Sequence, residues 1–77
     1  MKDKKEMIME ILNKYGCSNA FQIKGLIYRT YGEFISERSI AGQMRTLVAK
    51  GLVSKGYDAD RKAIYWLSPF GKENMNV

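Results

Sequence analysis

Histidine is missing from this chain of 77 residues, and cysteine, proline and tryptophan occur once each. Without imidazole there is no ready general base near neutral pH and no His-based metal set. A single cysteine closes no internal disulfide, which fits a reducing compartment. The sequence also lacks a glycine-rich phosphate cradle and any cluster at metal-ligand spacing. These absences argue against an enzyme, and neither a cofactor nor a metal is expected. Long apolar runs are missing too, since nothing approaches the ~20 residues that cross a bilayer. Met1-Lys2-Asp3-Lys4-Lys5-Glu6 starts with positive charge, but no apolar stretch follows, so it does not read as a secretory leader. The expected location is cytoplasmic, with no membrane contact.

What the chain does have is a positive balance. Thirteen Lys and Arg face eight Asp and Glu, a net charge of +5, which suits a polyanionic partner such as nucleic acid. The excess persists between Lys24 and Lys62, where only Glu33, Glu37, Asp58 and Asp60 oppose twice as many bases. The length and the 45% apolar share predict one domain over residues 1–77, near the lower size limit for folding without a staple.

Three helices are predicted. The first runs from about Asp3 to Tyr15, with Met7, Ile8, Ile11, Leu12 and Tyr15 inside an arc of about 140° and Gly16 at its end. Ser18 or Asn19 caps a second, from about Ala20 to Tyr31, whose inward stripe is Ile23, Leu26, Ile27 and Thr30. Gly32 stops it. Phe21 and Tyr28 form another apolar line on that helix, either packed under the first helix or available for a homodimer contact. Phe34 or Ile35 anchors the following turn. Ser36 caps a third helix, 37–50, that buries Ile40, Met44, Leu47 and Val48 and closes at Gly51. The last residues, Asn74 to Val77, are expected to fray.

With Ile40, Met44 and Leu47 turned inward, the outward side of the third helix holds Arg38, Gly42, Arg45, Thr46 and Ala49, flanked by Ser39 and Gln43. Arginine bonds bidentately to guanine, glutamine to adenine, and serine or threonine to a base or a phosphate. Residues near the start of such a helix reach bases most readily. Arg38, Ser39 and Gln43 are therefore expected at base edges, and Arg45, Thr46 and Lys50 at the backbone. Gly42 costs about 1 kcal/mol relative to Ala in a helix interior; close approach to a duplex, or close packing against another helix, would explain it.

A hairpin wing over residues 54–66 follows, with Asp58-Ala59-Asp60-Arg61-Lys62 at its tip and Ser68-Pro69-Phe70-Gly71 stopping the return strand. Arg61 and Lys62 suit a narrow minor groove, Lys55 a phosphate. The two aspartates either brace Arg61 or favour the turn. Strand alternation turns Tyr65 and Leu67 inward, and Ile64 and Trp66 outward. Trp66 then covers the base of the wing or lines a partner contact. The layout is that of an α+β winged helix-turn-helix, three helices followed by a two-stranded hairpin.

These residues resemble winged-helix regulators of the MarR and PadR type. Leu47-Val48-Ala49-Lys50-Gly51-Leu52-Val53 is similar to the end of their recognition helix, Asp58-Ala59-Asp60-Arg61-Lys62 resembles the MarR wing tip, and Tyr65 to Glu73 resembles the exit from a PadR-like wing. The likeness covers about half the chain. From Asp60 to Leu67 the interval is one residue shorter than the usual MarR pattern, and the long dimerising helices of those families have no counterpart here, so ligand sensing is not carried over. The resemblance implies double-stranded DNA binding, with Arg61 or Lys62 at the minor groove. The expected function is that of a small transcriptional regulator, a repressor. The alternatives are a phage or plasmid accessory protein in replication or excision, and a winged-helix adaptor that contacts protein. Cys17, just ahead of a helix, is either a packed structural thiol or a redox sensor.

Overall fold

The computed structural model describes residues 3–75. Helix α1 spans Lys4–Tyr15, and the Asp3 carboxylate accepts from the Glu6 amide at 2.8 Å to start it. Its inward face, Met7, Ile8, Ile11 and Leu12, is buried. Tyr15 is exposed, contrary to expectation. It is the last helical residue, and the chain turns away at Gly16, at φ 81°, beyond the end of the core.

Helix α2 spans Ala20–Tyr31. Asn19, not Ser18, caps it, and the Gln22 side chain returns a bond to the Asn19 amide. Ser18 is buried and pairs with Tyr65, each amide donating to the other's carbonyl at 2.9 Å. Ile23 and Ile27 enter the core, Leu26 is half-buried, and Thr30, expected inward, is exposed. The Tyr31 hydroxyl donates to the Glu10 carboxylate and clamps α2 to α1. Gly32 ends α2 in the left-handed region (φ 70°), where a side chain would be strained. In the turn that follows, Ile35 is the anchor and Phe34 faces solvent.

Helix α3 spans Glu37–Ala49, capped by the Ser36 hydroxyl, which accepts from the Ser39 amide. Ile40, Met44 and Leu47 are buried and Val48 is half-buried. Strands β1 (Val53–Tyr57) and β2 (Ala63–Leu67) pair antiparallel, with Val53 opposite Leu67 and Tyr57 opposite Ala63. Tyr65 and Leu67 point inward, and Trp66 is 38% exposed on the outer side. Its ring lies across Gly56, where a Cβ would fall 2.8 Å from Trp66 Cη2. Trp66 thus covers the wing, and residue 56 is kept bare beneath it.

The stretch expected only to stop β2 instead forms a short helix, α4, Pro69–Glu73. The Ser68 hydroxyl accepts from the Gly71 amide and donates to the Gly51 carbonyl at 2.6 Å. Gly71 is pressed against Leu52 so closely that a Cβ would collide with its carbonyl. Asn74 and Met75, expected to fray, are engaged: the Asn74 side chain donates to the Phe70 carbonyl, and Met75 packs against the core. Asn76 and Val77 lie outside the described residues, as do Met1 and Lys2. One core joins α1, α2 and α3 with Ile35, Val53, Tyr65 and Leu67. Among the described residues, no helix is long and apolar enough to cross a membrane.

Candidate nucleic-acid interface

Burial of Ile40, Met44 and Leu47 fixes the rotation of α3 about its axis, and Arg38, Gly42, Arg45, Thr46 and Ala49 are all exposed on the other side. Among the described residues, no other element covers them. The space around Gly42 is open, with nothing within 4 Å of where its Cβ would stand. Close helix packing is therefore excluded as the reason for this glycine within the chain. Thr46 donates its hydroxyl to the Gly42 carbonyl one turn back at 3.3 Å, which leaves its oxygen lone pairs outward.

One edge of this face meets the wing. Ala41, Arg45 and Val48 line a hollow of about 160 Å³ together with Lys55 and Tyr65. Arg45 and Lys55 thereby border one concave junction between helix and ribbon. Lys55 also lies over the Tyr57 ring, 5.4 Å from its centroid. The other edge carries Ser39 and Gln43, both half-buried, and exposed Lys50 at the C-cap. Ser39 accepts a hydrogen bond from Lys4 Nζ at 3.2 Å. Lys4 is a residue not expected at this site. The signal was available: a lysine on the same helical line as Ile8 and Ile11 breaks the amphipathic pattern of α1.

At the wing tip the Asp58 carboxylate accepts from the Asp60 and Lys62 amides at 2.8 and 2.9 Å, and Asp58 N–H donates to the Lys62 carbonyl. Asp58 therefore shapes the turn through the backbone. Arg61 sits at φ 62°, a non-glycine residue in the left-handed region, and both Arg61 and Lys62 are exposed. A five-residue strand carries them about 15 Å beyond Val53, so the tip is a separate contact from the α3 face.

A second surface lies on α2. Phe21 is 70% and Tyr28 57% exposed, so neither packs under α1. Periodicity placed them on one line but left open whether α1 reached that far round. Gly25 stands between them in open space. Tyr28 meets Phe34 edge to face at 6.1 Å, and Lys24 Nζ lies 5.2 Å from the Phe34 ring centre. Beside this ridge, Tyr15, Cys17, Phe21, Gln22, Gly25 and Leu26 border an open hollow of about 420 Å³. Cys17 is exposed, so it is not the packed structural thiol that its position suggested.

No protein-family profile and no curated protein matches this sequence. Solved structures do. RosR of H. salinarum, in the complex hsRosR-S4, is similar with a TM-score of 0.83 and 25% identity over 95% of this chain. This chain spans 63% of that protein's length. F93 from STIV, a winged-helix DNA-binding protein, superposes with a TM-score of 0.82 at 15% identity, covering 95% of this chain and 79% of F93. A MarR family transcriptional regulator from Silicibacter pomeroyi gives 0.74 at 24% identity, covering 90% of this chain and 44% of the regulator. The fold is the winged helix-turn-helix, three helices followed by an antiparallel hairpin.

Proposed function

We propose that this chain binds double-stranded DNA sequence-specifically and regulates transcription, as a repressor, without enzymatic activity. Residues 37–50 enter the major groove, and the hairpin 54–66 lies at the minor groove and backbone. The observation that carries this is the uncovered face of α3, with Arg38 and Arg45 outward and Lys55 beside Arg45. Arg38 and Gln43 meet base edges, with Ser39 at the border between base and phosphate. Arg45, Lys50 and Lys55 hold the backbone, joined by Thr46 once its hydroxyl turns from the Gly42 carbonyl to a phosphate, and Arg61 and Lys62 reach the minor groove. Bare Gly42 lets the helix axis come close to the groove floor. Occupation of a duplex site excludes other proteins from it, which is the physical content of repression. The similar structures, transcriptional regulators and a winged-helix DNA-binding protein, support the reading. An adaptor that contacts only protein gives no reason for two arginines on an open helix face.

Titration of labelled duplex at increasing salt tests the proposal. The assigned cations predict roughly four to six phosphate contacts, hence a slope of log K against log salt of about −4 to −5. A flat response would remove the surface.

The exposed Phe21–Gly25–Tyr28 ridge favours one addition, a homodimer in which two α2 helices cross at their glycines. The wing aromatics Tyr57 and Trp66, also exposed, are the alternative contact.

A further inference from the structure

We infer that Lys4, together with the Ser39 hydroxyl it holds, is a phosphate-binding site for the DNA strand on the side of α3 away from the wing. The inference rests on the reading of α3 as the groove-entering helix. It starts from the helical line of α1. Lys4 precedes Ile8 by four residues and Ile11 by seven, and both isoleucines are fully buried. The stripe that enters the core at Ile8 therefore emerges at Lys4. It emerges over α3, where Lys4 Nζ stands 3.2 Å from Ser39 Oγ.

The two edges of α3 are distinct. Ala41, Arg45 and Val48 border the hollow shared with Lys55 and Tyr65, so that edge belongs to the wing. Ser39, Gln43, Thr46 and Lys50 recur at i, i+4, i+7 and i+11 and form the opposite edge. A helix is about as wide as the major groove, roughly 12 Å, so a phosphate strand runs along each side of it. The wing serves one strand. On the other edge Lys50 stands at the C-terminal end of α3, and Lys4 supplies a cation at the N-terminal end.

The neighbouring acids do not oppose this. Glu6 and Glu10 fall on the far side of α1 from Lys4, and the Glu10 carboxylate accepts from Tyr31. The Asp3 carboxylate accepts from the Glu6 amide at the helix start. Glu37 falls on the wing-side edge of α3. The hydrogen bonding also selects the ligand. Lys4 donates to the Ser39 oxygen, so the Ser39 hydroxyl hydrogen and the other ammonium hydrogens are left to donate to a further acceptor. A backbone phosphate accepts only, and it matches a site made of donors.

Salt titrations of duplex binding by the 77-residue chain test this. Lys4→Gln should reduce the slope of log K against log salt by about 0.9, one phosphate, and weaken preferred and unrelated duplexes equally, by about eightfold near 0.1 M salt. Lys4→Arg should keep the wild-type slope. Lys14→Gln removes the same charge at the far end of α1 and should change nothing. Ser39→Ala should weaken all duplexes alike. An unchanged slope in Lys4→Gln overturns the site, and so does an equal loss in Lys14→Gln. A shifted sequence preference in Ser39→Ala makes that residue a base reader and likewise overturns the assignment. A wild-type chain with no salt-dependent duplex binding would instead sink the groove reading itself, and these outcomes are separable. Lys4 is exposed, and an unchanged urea midpoint for Lys4→Gln shows that the fold is intact.

Discussion

At the scale of single residues, two positions accept a conformational cost that the fold itself does not explain. Gly42 lies mid-helix with open space around it, so nothing in the chain forbids a side chain. Gly42→Ala should stabilise the fold by about 1 kcal/mol, read from thermal or urea unfolding. Gly42→Gln should leave stability equal or higher, yet weaken duplex binding at least tenfold, about 1.4 kcal/mol. Unaltered affinity in the glutamine variant would mean that α3 never approaches a groove closely. Arg61 is the second case. An L-residue in the left-handed region gives up roughly 1–2 kcal/mol, which glycine largely avoids. Arg61→Gly should therefore raise the unfolding midpoint by a few degrees while lowering duplex affinity, most on A·T-flanked sites. A midpoint that falls would show that the Arg61 side chain serves the fold.

At the scale of elements, local chemistry was legible and lateral depth was not. Asp3, Ser36 and the turn glycines marked helix ends because capping depends only on near neighbours. Ile23, Ile27, Ile40, Met44 and Leu47 were legible as core from their spacing. Tyr15 and Thr30 were misplaced inward, since periodicity gives a direction but not where the opposing element ends. The Ser18–Tyr65 bridge and α4 escaped because both depend on partners distant in the chain. The α3 half of the candidate site followed from one helical wheel, whereas Lys4 joined it only through α1–α3 packing. The Tyr31–Glu10 clamp belongs to this scale as well. Burial, then the bond to the Glu10 carboxylate, raises the Tyr31 pKa above its ordinary value. The folded chain therefore keeps that proton at pH values where the unfolded chain has lost it. The contribution is constant below about pH 10 and falls as pH rises beyond it. Urea midpoints should decline above that pH, and less so in Tyr31→Phe; parallel curves for both proteins would separate the decline from this hydroxyl.

At the scale of the whole molecule, α3 exposes Arg38 and Arg45 while α2 exposes Phe21 and Tyr28. If two copies join at that ridge, sedimentation should give twice the chain mass at micromolar concentration, and Phe21→Glu should return the monomer without loss of helix content. Selected DNA sites would then contain two half-sites about one helical turn apart. Single-copy mass together with isolated half-sites would retire the α2 contact. The paired amides of Ser18 and Tyr65 bear on how such a molecule arrives at its target. They fasten the return strand to the bend between α1 and α2, so the hairpin is tied to the helical body before any partner is met. If the proposed duplex binding holds, little freedom is left to freeze on docking, and the speed of capture is set by diffusion and orientation instead of by rearrangement.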